Sequence, residues 1–232
     1  MNRLDQHVIN LSLDMPASVD PTPNVLQVAS MFGLGIEHEK TLTLVPPTNL
    51  RLEPGRLIFI TGASGSGKST LLRLIRQAIH DNELGHVFDL ARLPALPDKP
   101  LVDGFPNRSL EQTLRLLSLA GLNDAFVMLR KPDELSDGQR YRLRLAQVMA
   151  MVEEDVLPDR LKIILADEFC ATLDRITAKV IAHHVRRWVT TTNVCLIVAT
   201  THDDLLEPLR PDTLIEKQLG PYIDVIEKPL SV

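Results

Sequence analysis

The sequence contains few of the residues that mark secreted, zinc-binding or membrane-spanning proteins. Its 232 residues include two cysteines, Cys170 and Cys195, both within apolar segments, a pattern that predicts neither a disulfide framework nor a zinc site. It has no run of 18 or more apolar residues, so a transmembrane helix is not predicted. The N-terminal residues lack the apolar core and cleavage site of a signal peptide, and we therefore expect a cytoplasmic protein.

An excess of positive charge is also missing. The chain has 25 Lys and Arg against 30 Asp and Glu, a formal charge of −5, whereas nucleic-acid-binding domains usually have a basic balance or a basic stripe. Nucleic acid is thus disfavoured as a partner, although a local basic patch is not excluded. The length suits one α/β domain with a buried sheet.

The clearest motif that is present is a glycine-rich loop between a short apolar strand and a helix. Residues 62–69 match G-x-x-x-x-G-K-[ST] in full, the pattern of a phosphate-binding P-loop. Glycines let backbone N–H groups surround an anion, and the following helix adds the positive end of its dipole. We expect Lys68 to reach the β- and γ-phosphates and the Ser69 hydroxyl to bind Mg²⁺. The candidate ATP-binding residues of the loop are Gly62, Ala63, Ser64, Gly65, Ser66, Gly67, Lys68, Ser69 and Thr70.

Upstream of the P-loop, the pattern predicts a flexible arm and then β structure. Residues 1–24 contain Pro16, Pro21 and Pro23, which favours an extended arm, with an edge strand over residues 7–13 as the alternative. Residues 25–232 are then the main domain. Two β segments are expected, at residues 25–32 and 41–52, the second with a bulge or an edge at Pro46 and Pro47 because proline cannot donate to a ladder.

Downstream, a small helical insert and two buried strands are predicted. Residues 109–119 and 138–152 have apolar side chains at helical spacing, which places the insert at about residues 104–152. The apolar runs at residues 161–166 and 193–199 are typical of parallel strands buried on both faces. Asp167, Glu168 and His202 follow the ends of these strands. Because open α/β sheets bind ligands beyond the carboxyl ends of their strands, we expect these residues and the P-loop to share one crevice.

Four motifs follow the P-loop in a fixed order, and together they resemble the ABC-type ATPases. Residues 135–139, Leu135-Ser136-Asp137-Gly138-Gln139, are similar to the family signature LSGGQ. Asp167 and Glu168 resemble the Walker B aspartate and the catalytic glutamate, residues 171–174 the D-loop that ends at Asp174, and His202 the switch histidine. The resemblance covers about residues 31–203. Within the family, residues 133–146 and 167–180 are most similar to soluble ABC ATPases joined to a predicted acetyltransferase domain.

The resemblance implies an α/β fold, a P-loop NTPase of ABC type with a mostly parallel sheet, an N-terminal antiparallel β part and a small helical insert. It implies hydrolysis of ATP with Mg²⁺ as cofactor: Asp167 would hold the metal opposite Ser69, and Glu168 would polarise the attacking water. His202 would hold the γ-phosphate or the attacking water. The signature acts in trans in this family, so we expect a head-to-tail homodimer when ATP binds. Phe32 is a candidate for stacking on adenine, with a place in the core as the alternative.

Three departures from the family pattern bear on affinity and on what hydrolysis would drive. Asp137 replaces a glycine of the signature and adds negative charge near the ATP bound in trans, unless its side chain points away. Residues 96–103 contain no glutamine, where the family usually has one that senses Mg²⁺ and contacts a partner. Ser136 follows Lys68 by only 68 positions, a short insert for gripping a membrane subunit.

On this basis we expect a soluble ATPase that drives an unidentified protein partner. The ATP-binding subunit of an ABC membrane transporter is the alternative, and a nucleic-acid-associated ABC ATPase is the second alternative.

Overall fold

A two-stranded antiparallel sheet forms the N-terminal part of the fold. The computed structural model describes residues 7–16, 19–33, 41–156 and 160–228. Strands β1 (His7–Pro16) and β2 (Thr41–Leu52) pair from His7 opposite Leu52 to Pro16 opposite Thr41. The register shifts between Leu11 and Asp14, opposite the two prolines of β2, which confirms the predicted bulge. The predicted alternative of an edge strand thus describes residues 7–16, whereas residues 1–6 and 17–18 of the expected arm lie outside the described residues.

Helix α1 (Pro23–Met31) replaces the strand that was predicted at residues 25–32, and that prediction is wrong. The Oγ1 atom of Thr22 accepts a hydrogen bond from the Val25 N–H at 3.4 Å, and Pro23 occupies the first turn. Proline is favourable there because its fixed φ suits the helix and its missing N–H has no intrahelical partner to lose. Within the helix, only Ala29 is buried, so the apolar residues that indicated a strand are mostly exposed.

A second sheet of six strands organises the rest of the described chain. Its strands are β3 (Leu57–Thr61), β4 (Gly85–Asp89), β5 (Leu161–Ala166), β6 (Cys195–Ala199), β7 (Thr213–Lys217) and β8 (Ile223–Glu227). In space they are ordered β4-β5-β6-β3-β7-β8. All neighbouring pairs are parallel except β7 and β8. The carboxyl ends of β3, β5 and β6 therefore lie at one edge of the sheet, which confirms the predicted α/β fold.

Helices cover both faces of this sheet and create two apolar cores. The remaining helices are α2 (Lys68–Asp81), α3 (Leu110–Leu119), α4 (Ala125–Met128), α5 (Asp137–Glu154), α6 (Arg175–Thr192) and α7 (Leu206–Leu209). Side chains of α2 and of the β1–β2 sheet pack on one face, and those of α3, α5 and α6 pack on the other. Along β3, Leu57 and Phe59 point into one core and Ile58 and Ile60 into the other. This alternation explains why the strand reads as a continuous apolar run.

The segment from the end of β4 to the end of α5 contains the helical insert predicted at about residues 104–152, with α3, α4 and α5. Its proline-rich first part contains short 3₁₀ turns at Leu90–Arg92 and Leu101–Asp103, and the Gln147 side chain of α5 donates to the Pro94 carbonyl at 2.8 Å. Ser109 and Gln112 form the capping box that starts α3. Among the described helices, none is both long and apolar enough to cross a bilayer.

Candidate functional site

The loop between β3 and α2 has the backbone geometry of an anion cradle. Gly62, Gly65 and Gly67 have φ values of 140°, 77° and 100°, a region open to glycine but costly for other residues. At Gly62 a Cβ atom would lie 2.0 Å from the Lys217 carbonyl oxygen, so only glycine fits beside β7. The loop contains a further open hydrogen-bonding group, because the Ser66 Oγ is buried and has no partner in the described part of the chain.

Lys68, the first residue of α2, folds back over this loop. Its Nζ donates to the carbonyl oxygens of Gly62 at 2.7 Å and Ala63 at 2.8 Å. Burial lowers the pKa of Lys68, and the nearby carboxylates of Asp167 and Glu168 offset part of that shift. The ammonium group thus lies at the loop with two carboxylates near it, and these two contacts are available for exchange with an anion of higher charge.

A pocket of about 470 Å³ opens between the P-loop and the ends of β5 and β6. Asp167 and Glu168 line it together with Lys68, Ser69 and Thr70. Carboxylate and hydroxyl oxygens are the protein ligands that Mg²⁺ prefers, and Ser69 and Asp167 supply one of each to the same pocket. The residues that line it are Ser64, Gly65, Gly67, Lys68, Ser69, Thr70, Asp167, Glu168, Ala171, Ala199, Thr200 and Thr201.

Glu168 stands on a backbone turn that has two residues in the left-handed region. Its φ is 50° and that of Cys170 is 57°, conformations that cost a non-glycine residue about 1–3 kcal/mol. Surrounding contacts hold the turn: the Phe169 N–H donates to Ala199 O at 2.9 Å, and the Cys170 N–H donates to the hydroxyl of Tyr141 at 2.9 Å. The turn directs the exposed Glu168 side chain to the pocket.

Tyr141 belongs to the helix that starts at the signature, and the sequence pattern did not single it out as functional. Burial raises the pKa of its hydroxyl well above the usual value, and burial raises the pKa of the Cys170 thiol to about 12. The group that meets the Glu168 turn is therefore a neutral phenol. Only the three-dimensional contact identifies this residue, since Tyr141 and Cys170 are 29 positions apart.

His202 is placed differently from the expectation. Thr200 and Thr201 line the pocket, whereas His202 is half-buried and is not among the lining residues. Its backbone N–H donates to the Thr200 Oγ1 at 3.3 Å. The next residue, Asp203, accepts a hydrogen bond from the hydroxyl of Thr61 at the end of β3. The segment that follows β6 is thus tied to the strand that leads into the P-loop.

The signature residues 135–139 form the N-terminus of α5 and lie outside the pocket. Ser136 caps the helix, with its Oγ accepting from the Gln139 N–H at 3.3 Å and the Gln139 side chain accepting from the Ser136 N–H at 3.0 Å. Leu135 is buried and Ser136 is exposed. A Cβ on Gly138 would lie 3.3 Å from the Leu173 side chain, so the signature packs against the loop before α6. The exposed helix start is therefore not part of the pocket in this chain.

The carboxylate of Asp137 in the signature is exposed to solvent. Its side chain is 89% exposed and lies 3.7 Å from the Arg140 guanidinium. Asp174 of the expected D-loop is the N-cap of α6, where it accepts from the Thr177 N–H at 2.9 Å. Hydrogen bonds from the Thr177 side chain and from its backbone N–H lower the pKa of the Asp174 carboxyl. Phe32 is 75% exposed, which rules out the core alternative, and it does not line the pocket within the described residues.

Lys217 is a second lysine beside the P-loop that the sequence pattern did not identify. It ends β7, is 1% exposed, and its Cε lies 3.8 Å from the place that a Cβ on Gly67 would take. The Nζ donates to the carbonyl oxygens of Gln218 and Gly220, each at 2.6 Å. Burial lowers the pKa of Lys217. Its side chain thus forms a wall behind the P-loop and anchors the β7–β8 turn there.

The fold and the pocket define a P-loop nucleotide-binding protein, and comparison with known proteins specifies the family. The family model for ABC transporters matches residues 45–94. A probable sulfate/thiosulfate import ATP-binding protein of Chlorella vulgaris is 30% identical over 222 residues, which cover 79% of this chain and 87% of that protein. A lipoprotein-releasing system ATP-binding protein of Novosphingobium aromaticivorans is 26% identical and covers 87% of this chain. The chain therefore belongs to the ABC ATP-binding family.

Solved structures agree with this fold. The dimeric structure of a bacterial ABC transporter cassette has a TM-score of 0.61 with 17% sequence identity and covers 95% of this chain. A post-hydrolysis cassette bound to ADP and phosphate has a TM-score of 0.59 and covers 96% of the chain.

Relatives differ in how much of their length this chain represents. The chain spans 64% of a methionine import ATP-binding protein of Rhodococcus jostii, which is 30% identical. It spans 44% of a sulfate/thiosulfate import protein and 50% of an aliphatic sulfonates import protein. The relatives' names describe ATP-binding proteins of import and lipoprotein-releasing systems, which fits the transporter alternative better than the expected soluble ATPase that drives an unidentified partner.

Proposed function

We propose that two copies of this chain bind MgATP head to tail, hydrolyse it, and pass the resulting movement to a membrane-transport partner on the cytoplasmic side. One observation carries the two-subunit part: the pocket holds the P-loop, Asp167 and Glu168, while the exposed, capped start of α5 lies outside it. A helix N-terminus offers unsatisfied N–H groups and a positive dipole end to an anion. A second subunit would supply this group to the open side of the pocket.

Each residue of the pocket has a chemical task in this proposal. Lys68 and the loop N–H groups would hold the β- and γ-phosphates, and Ser69 and Asp167 would hold Mg²⁺. The chemistry that Mg²⁺ supplies when bound is neutralisation of charge across the β- and γ-phosphates. Glu168 would orient and polarise the attacking water. His202 would hold the γ-phosphate or the attacking water, because it directly follows Thr200 and Thr201, which line the pocket. Phe32 would stack on adenine once ATP is bound.

The relatives and the sequence of this chain both bear on the class of partner. Several relatives are named as import or lipoprotein-releasing ATP-binding proteins, and this supports a transport partner. A soluble protein partner is the second candidate. Residues 96–103 contain no glutamine, where the family usually has one that contacts the partner. Copurification from host membranes, with and without detergent, separates the two: a membrane protein retained in stoichiometric amount supports the first and a soluble one supports the second.

Mixing two inactive variants tests the two-subunit site. Ser136→Arg blocks close approach of the α5 N-terminus, and Lys68→Ala removes the phosphate-binding cation, so each variant alone should be nearly inactive. A mixed dimer contains one complete site, and the mixture should therefore recover ATP hydrolysis. If folded, exchanging subunits hydrolyse no more ATP together than separately, the capped helix start is only a helix cap and the dimer mechanism is wrong.

A further inference from the structure

A cationic pocket of about 360 Å³ lies at the end of the large sheet opposite the P-loop. Asp212 immediately precedes β7, Arg210 lies two positions earlier, and Lys228 immediately follows the antiparallel β8. The P-loop, in contrast, follows the carboxyl end of β3, which is parallel to β7. Five residues of strand separate the two ends, roughly 15 Å or more. The lining residues are His183, Arg186, Arg187, Pro208, Arg210, Asp212 and Lys228.

The floor of this pocket is a fixed ion pair. Asp212 accepts from both terminal nitrogens of Arg186, at 2.7 and 3.1 Å, and from the Leu57 N–H at 2.8 Å. The bidentate geometry leaves the carboxylate fully engaged. The pocket's one acidic side chain is thus already neutralised by the first of its four Lys or Arg residues.

Three cations then remain around the opening without an anion. Within the described residues, Arg187, Arg210 and Lys228 form no ion pair, and all three are exposed. His183 lies one helical turn before Arg187 on the same face of α6, so its protonation would only add positive charge. Converging like charges repel, and an excess of positive charge in a concave site attracts anions. This occurs in a chain whose formal charge is −5.

Arg210 sits where the backbone favours glycine. It is the C-cap of α7 with φ of 44°, a left-handed conformation that non-glycine residues adopt at a cost. The Arg210 N–H donates to the Leu206 carbonyl at 2.9 Å as part of this cap, but in the described part of the chain its guanidinium has no hydrogen bond or ion pair. A bound anion would supply such a contact, since arginine binds phosphate through two parallel hydrogen bonds.

We propose that this pocket binds a small phosphorylated molecule through Arg187, Arg210 and Lys228. The volume falls within the range of small-molecule sites, and exceeds what a single inorganic ion requires. A concave site closed by a fixed ion pair suits a compact ligand better than the extended backbone of a nucleic acid, which is usually tracked by a groove. The site is separate from ATP turnover and does not depend on the proposed dimer.

Calorimetry with pyrophosphate tests this on full-length protein that contains Lys68→Ala, so that the P-loop does not compete. One pyrophosphate should bind per chain. Adding Arg210→Gly or Arg187→Ala should weaken binding at least ~10-fold each, the effect of losing one charge-assisted contact. Arg210→Gly should fold at least as well as its parent because glycine relieves the left-handed backbone. Arg144→Ala, which removes an exposed charge from α5, is the matched control and should change the affinity less than twofold.

Two results would overturn the proposal. One is an absence of binding, or binding that Arg210→Gly and Arg187→Ala leave unchanged. The other is a single-stranded 20-nucleotide oligonucleotide that binds through the same arginines at concentrations where pyrophosphate does not, which would identify a nucleic-acid site instead.

Discussion

Removal of a single oxygen atom, in Tyr141→Phe, should slow ATP hydrolysis without weakening ATP binding. The Tyr141 hydroxyl accepts the Cys170 N–H at 2.9 Å, and Cys170 is fully buried. Phenylalanine fills the same space but leaves that N–H without a partner. Such a loss costs about 1–3 kcal/mol, which corresponds to a decrease in Tm of roughly 2–12 °C for a domain of this size.

The same loss should appear in turnover because the contact holds the turn that presents Glu168. If the whole of this loss raises the activation free energy of hydrolysis, an increase of about 1–3 kcal/mol lowers kcat by roughly 5- to 150-fold. The KM for ATP should stay within about twofold of wild type, since Tyr141 does not line the pocket. Steady-state ATPase assays and thermal unfolding measure both effects at a temperature where the variant is folded.

The chain offers a matched control, since it contains only one other tyrosine. Tyr222 is 66% exposed, so Tyr222→Phe should change neither Tm nor kcat. A Tyr141→Phe protein that melts earlier but turns over ATP at the wild-type rate would show that the hydrogen bond stabilises the fold and has no part in placing Glu168. A coupling between the signature and Glu168 through α5 would then be refuted.

Two further predictions concern Glu168 in the pocket and the buried Lys217 beside the P-loop. Glu168→Gln should bind ATP yet hydrolyse it at least ~100-fold more slowly, and saturating MgATP should hold it as a dimer; light scattering that finds only monomer would contradict the two-subunit site. Lys217→Met removes a buried ammonium whose pKa is lowered by burial. Between that lowered pKa and 10.5 the unfolded state binds more protons than the folded state, so wild-type stability should rise with pH relative to Lys217→Met; urea unfolding at pH 7 and pH 10 checks this, and a constant difference would contradict it.

Local patterns were sufficient to predict the sheet and the P-loop. The strand β3, its glycines and the start of α2 are contiguous in sequence, and their apolar runs and φ requirements act over a few residues. The bulge at Pro46 and Pro47 was predictable for the same reason, because the missing N–H is a property of proline alone. Helix α1 was not predicted because the apolar content of residues 25–32 favours a strand. The signal for a helix start, Thr22 followed by Pro23, lies before that segment.

Other features depend on contacts between distant segments, which no local pattern contains. Lys217 ends a strand that alternates buried and half-buried residues, and its position alone would suggest a solvated tip; it is buried because the β7–β8 turn and the P-loop close around it. The unpaired arginines of the cationic pocket are separated by more than 20 positions in sequence. Likewise, the hydrogen bond that ties the segment after His202 to the strand before the P-loop joins Thr61 and Asp203, which are 142 positions apart.

One helix, α5, connects the two halves of the proposed site. Its exposed start is the signature at Ser136, and Tyr141 follows five positions later, about one and a half turns or roughly 7.5 Å along the axis. Because a helix is rigid over that distance, any movement of the signature relative to the rest of its own subunit would displace Tyr141 or strain its bond to the Cys170 N–H. The Glu168 turn of the same subunit would feel that change directly. If the signature acts in trans and moves in this way when ATP binds, ATP in one site would change the geometry of Glu168 in the other.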